Sequence, residues 1–449
     1  MILNKIKDKI FYIAIALIVL CASLSHLNIV FQVFLYAFVI VAPLLLDDTK
    51  TISLYCFSAC FMACFGGGGF LVALNVSLLI LEIKKIVLAI KTHDSDIKNI
   101  KFILIAWVSL LISLTIYSLL YNRFKIYRMG MFLDFIQCCF VFYLVHKNIN
   151  LKHILLTLAG GIVASVAMSA LFETCGIYSC FVKGTLGKRF GAFFNNINTL
   201  SVFCTTCASG LVALLLTNQL EFKKFCWMPF AISAIGFLSM SKVFMILTIL
   251  LYGSWYLISF IKSRQKRNYI WYSIAVVLLV LAMIFIFRDY INQIINRFID
   301  SSYSSKIDNF TTGRASIWKQ YLKRWLKSPI TFLFGNGYTA QKISTNQYEH
   351  SIYIAFLFQF GIVGTALIIG VLIWSMRKAK FSKNIATYIP ISMLLINGIS
   401  SNLSGVLCTC IIWLLAFCFI VNKPKISNHT PESESNLELK GDINNEQNR

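Results

Sequence analysis

Along this chain, continuous apolar runs alternate with short polar and basic breaks from Ile10 to Val421. The runs lack the period-two alternation of barrel strands, and most are long enough to cross about 30 Å of hydrocarbon, so they predict membrane helices. In lipid each backbone N–H and C=O must be satisfied internally, which a helix does within its own segment. Predicted spans cover residues 10–26, 29–46, 52–65, 70–81, 102–120, 129–146 and 153–172, then 199–217, 227–240, 243–261, 269–287, 351–376, 386–401 and 405–421. The pair joined by Gly66-Gly67-Gly68-Gly69 is short enough to be re-entrant, which puts the count at about 12–14. The expected fold class is all-α, a polytopic membrane domain over residues 1–421. Residues 422–449 form a polar tail that turns acidic at Glu432, Glu434 and Glu438; with little to bury, it reads as disordered.

One interruption is out of proportion. Residues 288–348 leave the apolar pattern entirely, where a typical connection needs about 4–6 residues. An insertion of this size usually carries function, so the chemistry is expected there. Gly313-Arg314 opens an amphipathic stretch, Phe334-Gly335-Asn336-Gly337 follows, and Glu349-His350-Ser351 stands where the apolar pattern resumes. As a helix over 312–327, this stretch has an apolar stripe of Trp318, Tyr321, Leu322 and Trp325, with Lys319, Lys323, Arg324 and Lys327 on its polar side. Arg314, one turn before Trp318, falls on the stripe. A guanidinium aimed inward needs an anion, either a ligand's or a local carboxylate such as Asp308.

Composition agrees with the pattern: 58% of residues are hydrophobic and the mean hydropathy is +0.74. The net charge of +23 would point to nucleic acid in a soluble protein. Here no basic face is interleaved with base-stacking aromatics, and no nucleic-acid partner is expected. The cations concentrate instead at Lys84-Lys85, Lys223-Lys224, residues 262–267 and Arg377-Lys378, which fall on one side of the predicted bundle. By the positive-inside rule both termini then face the cytoplasm and the 288–348 loop faces out. The basic start followed by residues 10–20 mimics a signal peptide. Leu20 before Cys21 is too bulky for lipoprotein cleavage and the next run begins almost at once, so residues 10–26 read as a retained first helix.

The cations outside that rule are Lys183, Lys188, Arg189, Lys242 and Arg314. Charges near the outer face suit a phosphate or pyrophosphate there, or they anchor helix ends by snorkelling. His350 titrates near neutrality and could take a proton from a hydroxyl, with Glu349 a competing base or an orienting partner. Other signals carry less. Asp94-Ser95-Asp96 has the form of a sugar-nucleotide metal site but lacks a nucleotide-binding domain, and Gly66–Gly69 lacks the Lys-Ser/Thr of a phosphate loop. Cys56, Cys60 and Cys64 share a helical face and read as packing residues. Cys175 and Cys180 are candidates for a disulfide that spacing alone does not decide. Asp134, inside a span, needs a partner such as Arg128 or Lys125.

Taken in order, several segments resemble the bacterial O-antigen polymerase and O-antigen ligase superfamily of polytopic glycosyltransferases. Arg189-Phe190-Gly191 through Asn198 resembles its Arg-x-x-Gly motif ending in Asn before a helix, and Ser239-Met240-Ser241-Lys242 its Thr/Ser-x-Ser-Arg turn. Gly313-Arg314, Trp318, Pro329 and Phe334-Gly335-Asn336-Gly337-Tyr338 resemble the pattern of its long loop. His350-Ser351 with Gly361-Ile362-Val363-Gly364 resembles the signature that follows. Lys242 stands where the family has Arg, and Ser351 where it has Asn.

The resemblance implies transfer of a glycan from a polyprenyl-pyrophosphate donor to another lipid-linked repeat unit, without metal or cofactor. Arg314, Arg189 and Lys242 would bind the pyrophosphate, His350 would act as base, and Glu349 and Asn198 would support them. The Arg189 segment and the Gly-Asn-Gly-Tyr run look more like polymerases, so O-antigen polymerase is expected, at the periplasmic face of the inner membrane. The alternatives are O-antigen ligase and, with no half repeat visible, a lipid-linked oligosaccharide flippase. Membrane lipid and a chain-length regulator protein are the other partners considered. Single cysteines introduced into residues 288–348, with accessible native thiols controlled for, should react with an impermeant reagent in intact spheroplasts. Labelling only after the membrane is opened would refute this orientation.

Overall fold

The computed structural model describes residues 2–66, 69–120, 126–177, 179–184, 187–194, 196–262, 288, 292, 311, 313–338, 350–401 and 410–421. The predicted span 269–287, the tail from 422 and more than half of the 288–348 loop lie outside these residues, as do Glu349 and Asp308.

Helices α1 (Ile2–Leu24), α2 (Ile29–Leu45), α3 (Asp48–Ala59), α4 (Gly69–Lys91), α5 (Ile97–Leu120), α6 (Ile126–Val145) and α7 (Leu151–Thr174) follow the first seven apolar runs. After them come α8 (Ile197–Leu216), a single turn α9 (Phe222–Phe225), α10 (Met228–Phe237) and α11 (Lys242–Lys262). The long loop contributes α12 (Arg314–Trp325) and α13 (Pro329–Phe334), before α14 (Ile352–Ala379), α15 (Ile389–Ser400) and α16 (Cys410–Val421). Among the described residues, five helices are long and apolar enough to cross a membrane: Ile97–Leu120, Leu151–Thr174, Ile197–Leu216, Lys242–Ile261 and Ile352–Ala379. The chain is an all-α polytopic membrane protein.

Polar residues mark where the helices start. Asn28, Asp47, Asn150 and Asn196 accept from Val30 N, Lys50 N, His153 N and Asn198 N at 2.9, 3.0, 3.2 and 2.9 Å, satisfying donors that a helix leaves open. At the centre stands α8, almost wholly buried, with α7, α10, α11, α15 and α16 packed around it. Two of its hydroxyls return to its own backbone, Thr205 to Ser201 O at 2.8 Å and Ser209 to Thr206 O at 3.1 Å, and so are satisfied in the core.

The charged end of the first helices is tied together: Lys50 lies 2.7 Å from Asp8 and 3.0 Å from Asp47, and Lys85 pairs with Asp48. Asp94 accepts from Asp96 N at 2.9 Å and Asp96 pairs with Lys147, so local bonds account for that Asp-x-Asp. Cys56, Cys60 and Cys64 are buried in the core. Cys175 and Cys180 are free thiols, and Cys180 Sγ donates to Ser169 O at 3.0 Å. Asp134 is fully buried in α6, while the side chains of Lys125 and Arg128 lie outside the description.

Two features depart from the apolar pattern. A two-stranded antiparallel hairpin, β1 (Phe181–Gly184) and β2 (Gly187–Phe190), follows α7, with Arg189 opposite Val182 and the rings of Phe181 and Phe190 5.3 Å apart. The second is a break in α14 at Gly361, whose φ of 64° and ψ of −170° are not helical. The break leaves the carbonyls of Phe358 and Gln359 open, and they accept from Asn336 N and Gly337 N, each at 2.8 Å. Asn336 Nδ2 adds a bond to Phe358 O at 3.2 Å, and Tyr117 of α5 donates to Gly335 O at 2.7 Å. The Phe-Gly-Asn-Gly run is thus clamped between α5 and α14. Close approach requires glycine: a Cβ on Gly361 would lie 2.3 Å from Leu333 O, and one on Gly335 would lie 2.4 Å from Gln359 O.

Gly361→Ala should therefore lower the melting temperature of the detergent-solubilised protein, since backbone strain alone costs roughly 1–3 kcal/mol. Gly370→Ala in the same helix, where a Cβ would meet nothing within 4 Å, should leave it unchanged or raise it. Equal melting temperatures for the two variants would refute the clamp.

Candidate functional site

Four helix N-termini converge on one cavity of about 560 Å³. Asn198 lies in the first turn of α8, Lys242 opens α11, Arg314 opens α12, and His350 stands just before Ser351, the N-cap of α14. Each terminus brings the positive end of its macrodipole to the cavity, which favours an anion. Arg189, at the end of β2, joins them. The cavity thus gathers Arg189, Asn198, Lys242, Arg314 and His350 from positions spread over 160 residues, and no described lining residue is acidic.

Backbone carbonyls aim the guanidinium groups. Arg189 Nε donates to Ser239 O at 2.9 Å and its Nη2 to Asn198 Oδ1 at 3.4 Å. Arg314 Nη1 donates to Ser400 O at 2.6 Å, at the carbonyl-rich end of α15. The same end takes Ile352 N through Ser401 O at 3.2 Å and Ser351 Oγ through Gly398 O at 3.4 Å, which sets His350 opposite Arg314. Phe190 N donates to Leu238 O at 3.2 Å and so docks the hairpin on the turn between α10 and α11.

Three non-glycine residues at the site stand in the left-handed region: Ala192 at φ 48°, Met240 at φ 49° and His350 at φ 47°. Such conformations cost about 1–3 kcal/mol each and persist only where the surroundings enforce them. Met240 reverses the chain between Ser239, whose carbonyl holds Arg189, and Lys242.

Apolar residues supply much of the remaining lining: Val243 and Ile246 of α11, Ile317 and Trp318 of α12, Ile396 and Ile399 of α15. Ile246 and Ile399 keep exposed surface, so the cavity combines charge at the helix ends with apolar flanks. Trp318, placed on the apolar stripe by the sequence, lines the cavity, whereas Tyr321 and Trp325 of the same stripe are buried.

His350 keeps an exposed face. Burial of the rest of its surroundings, and then the Arg314 guanidinium, push its pKa below the ordinary histidine value. A neutral imidazole at pH 7 follows, able to accept a proton.

Glu349 lies outside the described residues, as do the side chains of Lys183 and Lys188 in the hairpin. Ser241, Thr311 and Ser400 line the cavity without having been singled out as site residues. Ser241 lies within the Ser-Met-Ser-Lys motif, which was its signal. Ser400 acts through its carbonyl at the end of an apolar helix, and nothing in its side chain announces that.

A polytopic helical membrane protein with a cationic, half-apolar cavity at the end of its bundle is the class these features define. Residues 227–369 match the family model described as O-antigen ligase. The match supports membership of the chain in the O-antigen ligase and polymerase superfamily, whose members are membrane glycosyltransferase-like enzymes. It takes in Lys242, Arg314, His350 and Gly361, while Arg189 and Asn198 precede it. No curated protein and no solved structure matches the chain.

Arg314→Ala should raise the pKa of His350, because a nearby cation disfavours the imidazolium, but should not restore it fully, because burial remains. The pH dependence of His350 carbethoxylation, followed by peptide mass spectrometry, measures this. An unchanged or lowered midpoint would refute the coupling.

Proposed function

We propose that this chain is an O-antigen polymerase, joining polyprenyl-pyrophosphate-linked oligosaccharide repeat units at the periplasmic face of the inner membrane. The observation that carries the reading is the meeting of Arg189, Lys242, Arg314 and His350 at converging helix N-termini in one cavity with an apolar flank. A polyprenyl pyrophosphate needs both halves of such a site.

In this reading the donor pyrophosphate sits among Arg189, Lys242 and Arg314. The acceptor hydroxyl gives its proton to neutral His350 as its oxygen attacks the anomeric carbon. The bond from that carbon to the pyrophosphate oxygen breaks and its electron pair leaves on the pyrophosphate. Fixed cations and helix dipoles stabilise the developing charge without reorganising. Attack from the side opposite the leaving group inverts the anomeric centre. Asn198, by holding Arg189, is a positioning residue. Lys242 supplies a point charge, where an arginine would add a planar fork. Glu349 would orient His350 or compete with it as base, and a chain-length regulator protein is a candidate partner.

A second reading, O-antigen ligase, has in its favour the description of the matching family model. The two differ in acceptor and share the cavity. Deleting the gene should leave single repeat units on the lipid core if the chain is a polymerase. Accumulation of long lipid-linked polymer detached from core would make it the ligase.

Arg314→Ala should reduce transfer by about 10²–10³-fold, and Arg314→Lys should recover part of it. His350→Ala should reduce turnover by roughly 10²–10⁴-fold while donor binding is largely retained. Wild-type transfer should rise with pH through a midpoint below about 6.5 and then level off, since the base must be neutral. Purified variants of matched folding, assayed for transfer and donor binding, give the answer. Wild-type turnover in Arg314→Ala places the clamp elsewhere, and in His350→Ala it removes the base.

A further inference from the structure

The end of the bundle opposite the candidate site holds a second cavity, of about 730 Å³. It lies a full helix away: α8 starts beside Asn198 and runs 20 residues towards Gln219, roughly 30 Å at 1.5 Å per residue. Its walls come from connections that the sequence spreads widely, namely the turn from α6 to α7, the residues after α8, and the ends of α14 and α16. Lys147, Lys152 and Lys380 supply charge, and Asn148, Asn150 and Gln219 supply amide groups. Ile149 and Ala379, both half-buried, contribute apolar surface.

The walls are fixed by bonds that leave these groups in place. Thr49 Oγ1 accepts from Asn150 N at 3.0 Å and donates to Asn148 O at 3.3 Å. Asn150 caps α7, whose 24 residues direct the positive end of their dipole into the cavity. Ser382 N donates to Ile420 O at 2.7 Å and ties the loop after α14 to the end of α16. Lys380 is held in the left-handed region at φ 65°. Lys147 pairs with Asp96, and Lys152 lies 5.6 Å over the ring of Phe225. Among the described residues, neither Lys152 nor Lys380 has an ion-pair partner.

Large side chains at the same end place the cavity at a membrane interface: Phe222, Trp227 and Ile385 are each at least 60% exposed. Aromatic residues favour the headgroup level, where acyl chains and charged groups meet. Positive charge, amide groups and a helix N-terminus, together with apolar surface, match a phosphate that carries acyl chains.

We propose that this cavity binds the phosphate of an anionic phospholipid in the leaflet opposite the candidate site. The inference does not depend on the glycosyltransferase reading. Generic attraction of basic loops to a membrane would use all surface lysines alike, whereas a built site singles out those that line it.

The test is native mass spectrometry of the purified full-length protein with phosphatidylglycerol or cardiolipin, against phosphatidylethanolamine and against inorganic pyrophosphate. The wild type should retain the anionic lipids preferentially. The double variant Lys152→Gln/Lys380→Gln should lower their occupancy at least about tenfold. Lys378→Gln/Lys383→Gln removes the same charge from exposed positions that do not line the cavity, and should leave occupancy near wild type. Equal losses in the two double variants, or no loss in either, would overturn the site. Saturable binding of free pyrophosphate without any preference for anionic lipid would overturn the lipid as its source. Matched elution and melting temperature of the variants exclude misfolding as the cause.

Discussion

The clamp at Gly361 is the constraint on which the site depends. Within a span, a transmembrane helix ordinarily satisfies its carbonyls, leaving little for another segment to bind. By turning out of helical geometry at Gly361, α14 opens the carbonyls of Phe358 and Gln359, and the backbone of Asn336 and Gly337 takes them up. That contact fixes α13 on α14. It also lets Tyr321 of α12 pack its ring 4.9 Å from Phe358. Arg314 at the head of α12 and His350 at the head of α14 are therefore positioned relative to one another by a glycine contact more than ten residues from either.

The converging helix ends extend the same logic. An anion site built from loops alone would need many ordered side chains, each with its entropy to lose. Here α8, α11, α12 and α14 each bring a rigid N-terminus, and α15 brings a C-terminus whose carbonyls orient Arg314 and receive the start of α14. Just before α8, α11 and α14 begin, Ala192, Met240 and His350 adopt left-handed geometry. The strain lies where the site needs accuracy.

Membrane surroundings explain why this arrangement can handle charge. Cations at helix ends stay near water, while Val243, Ile246, Ile396 and Ile399 give the same cavity an apolar flank. Arg314 reconciles these halves: its helix packs through Tyr321 and Trp325, and its guanidinium reaches a backbone carbonyl. His350 lines the same cavity, where partial burial and a neighbouring cation both favour its neutral form.

Continuous apolar runs by themselves determined the helical class and most helices, because lipid leaves an unpaired backbone few alternatives. The loop's apolar stripe likewise determined α12 and put Arg314 and Trp318 on the face they occupy. The ends of helices were less legible: α4 runs to Lys91, well past its apolar run, and the hairpin after α7 pairs only four residues a side, too few for a clear alternation. Only the tertiary structure decided that Arg189, Asn198, Lys242, Arg314 and His350 share a cavity, that Ser239 and Ser400 hold the two arginines, and that a second basic cavity lies at the other end. The reason is physical. Hydropathy is a property of each segment against its solvent, whereas backbone carbonyls look alike in every residue, and which of them face a cation depends on where helices end in space.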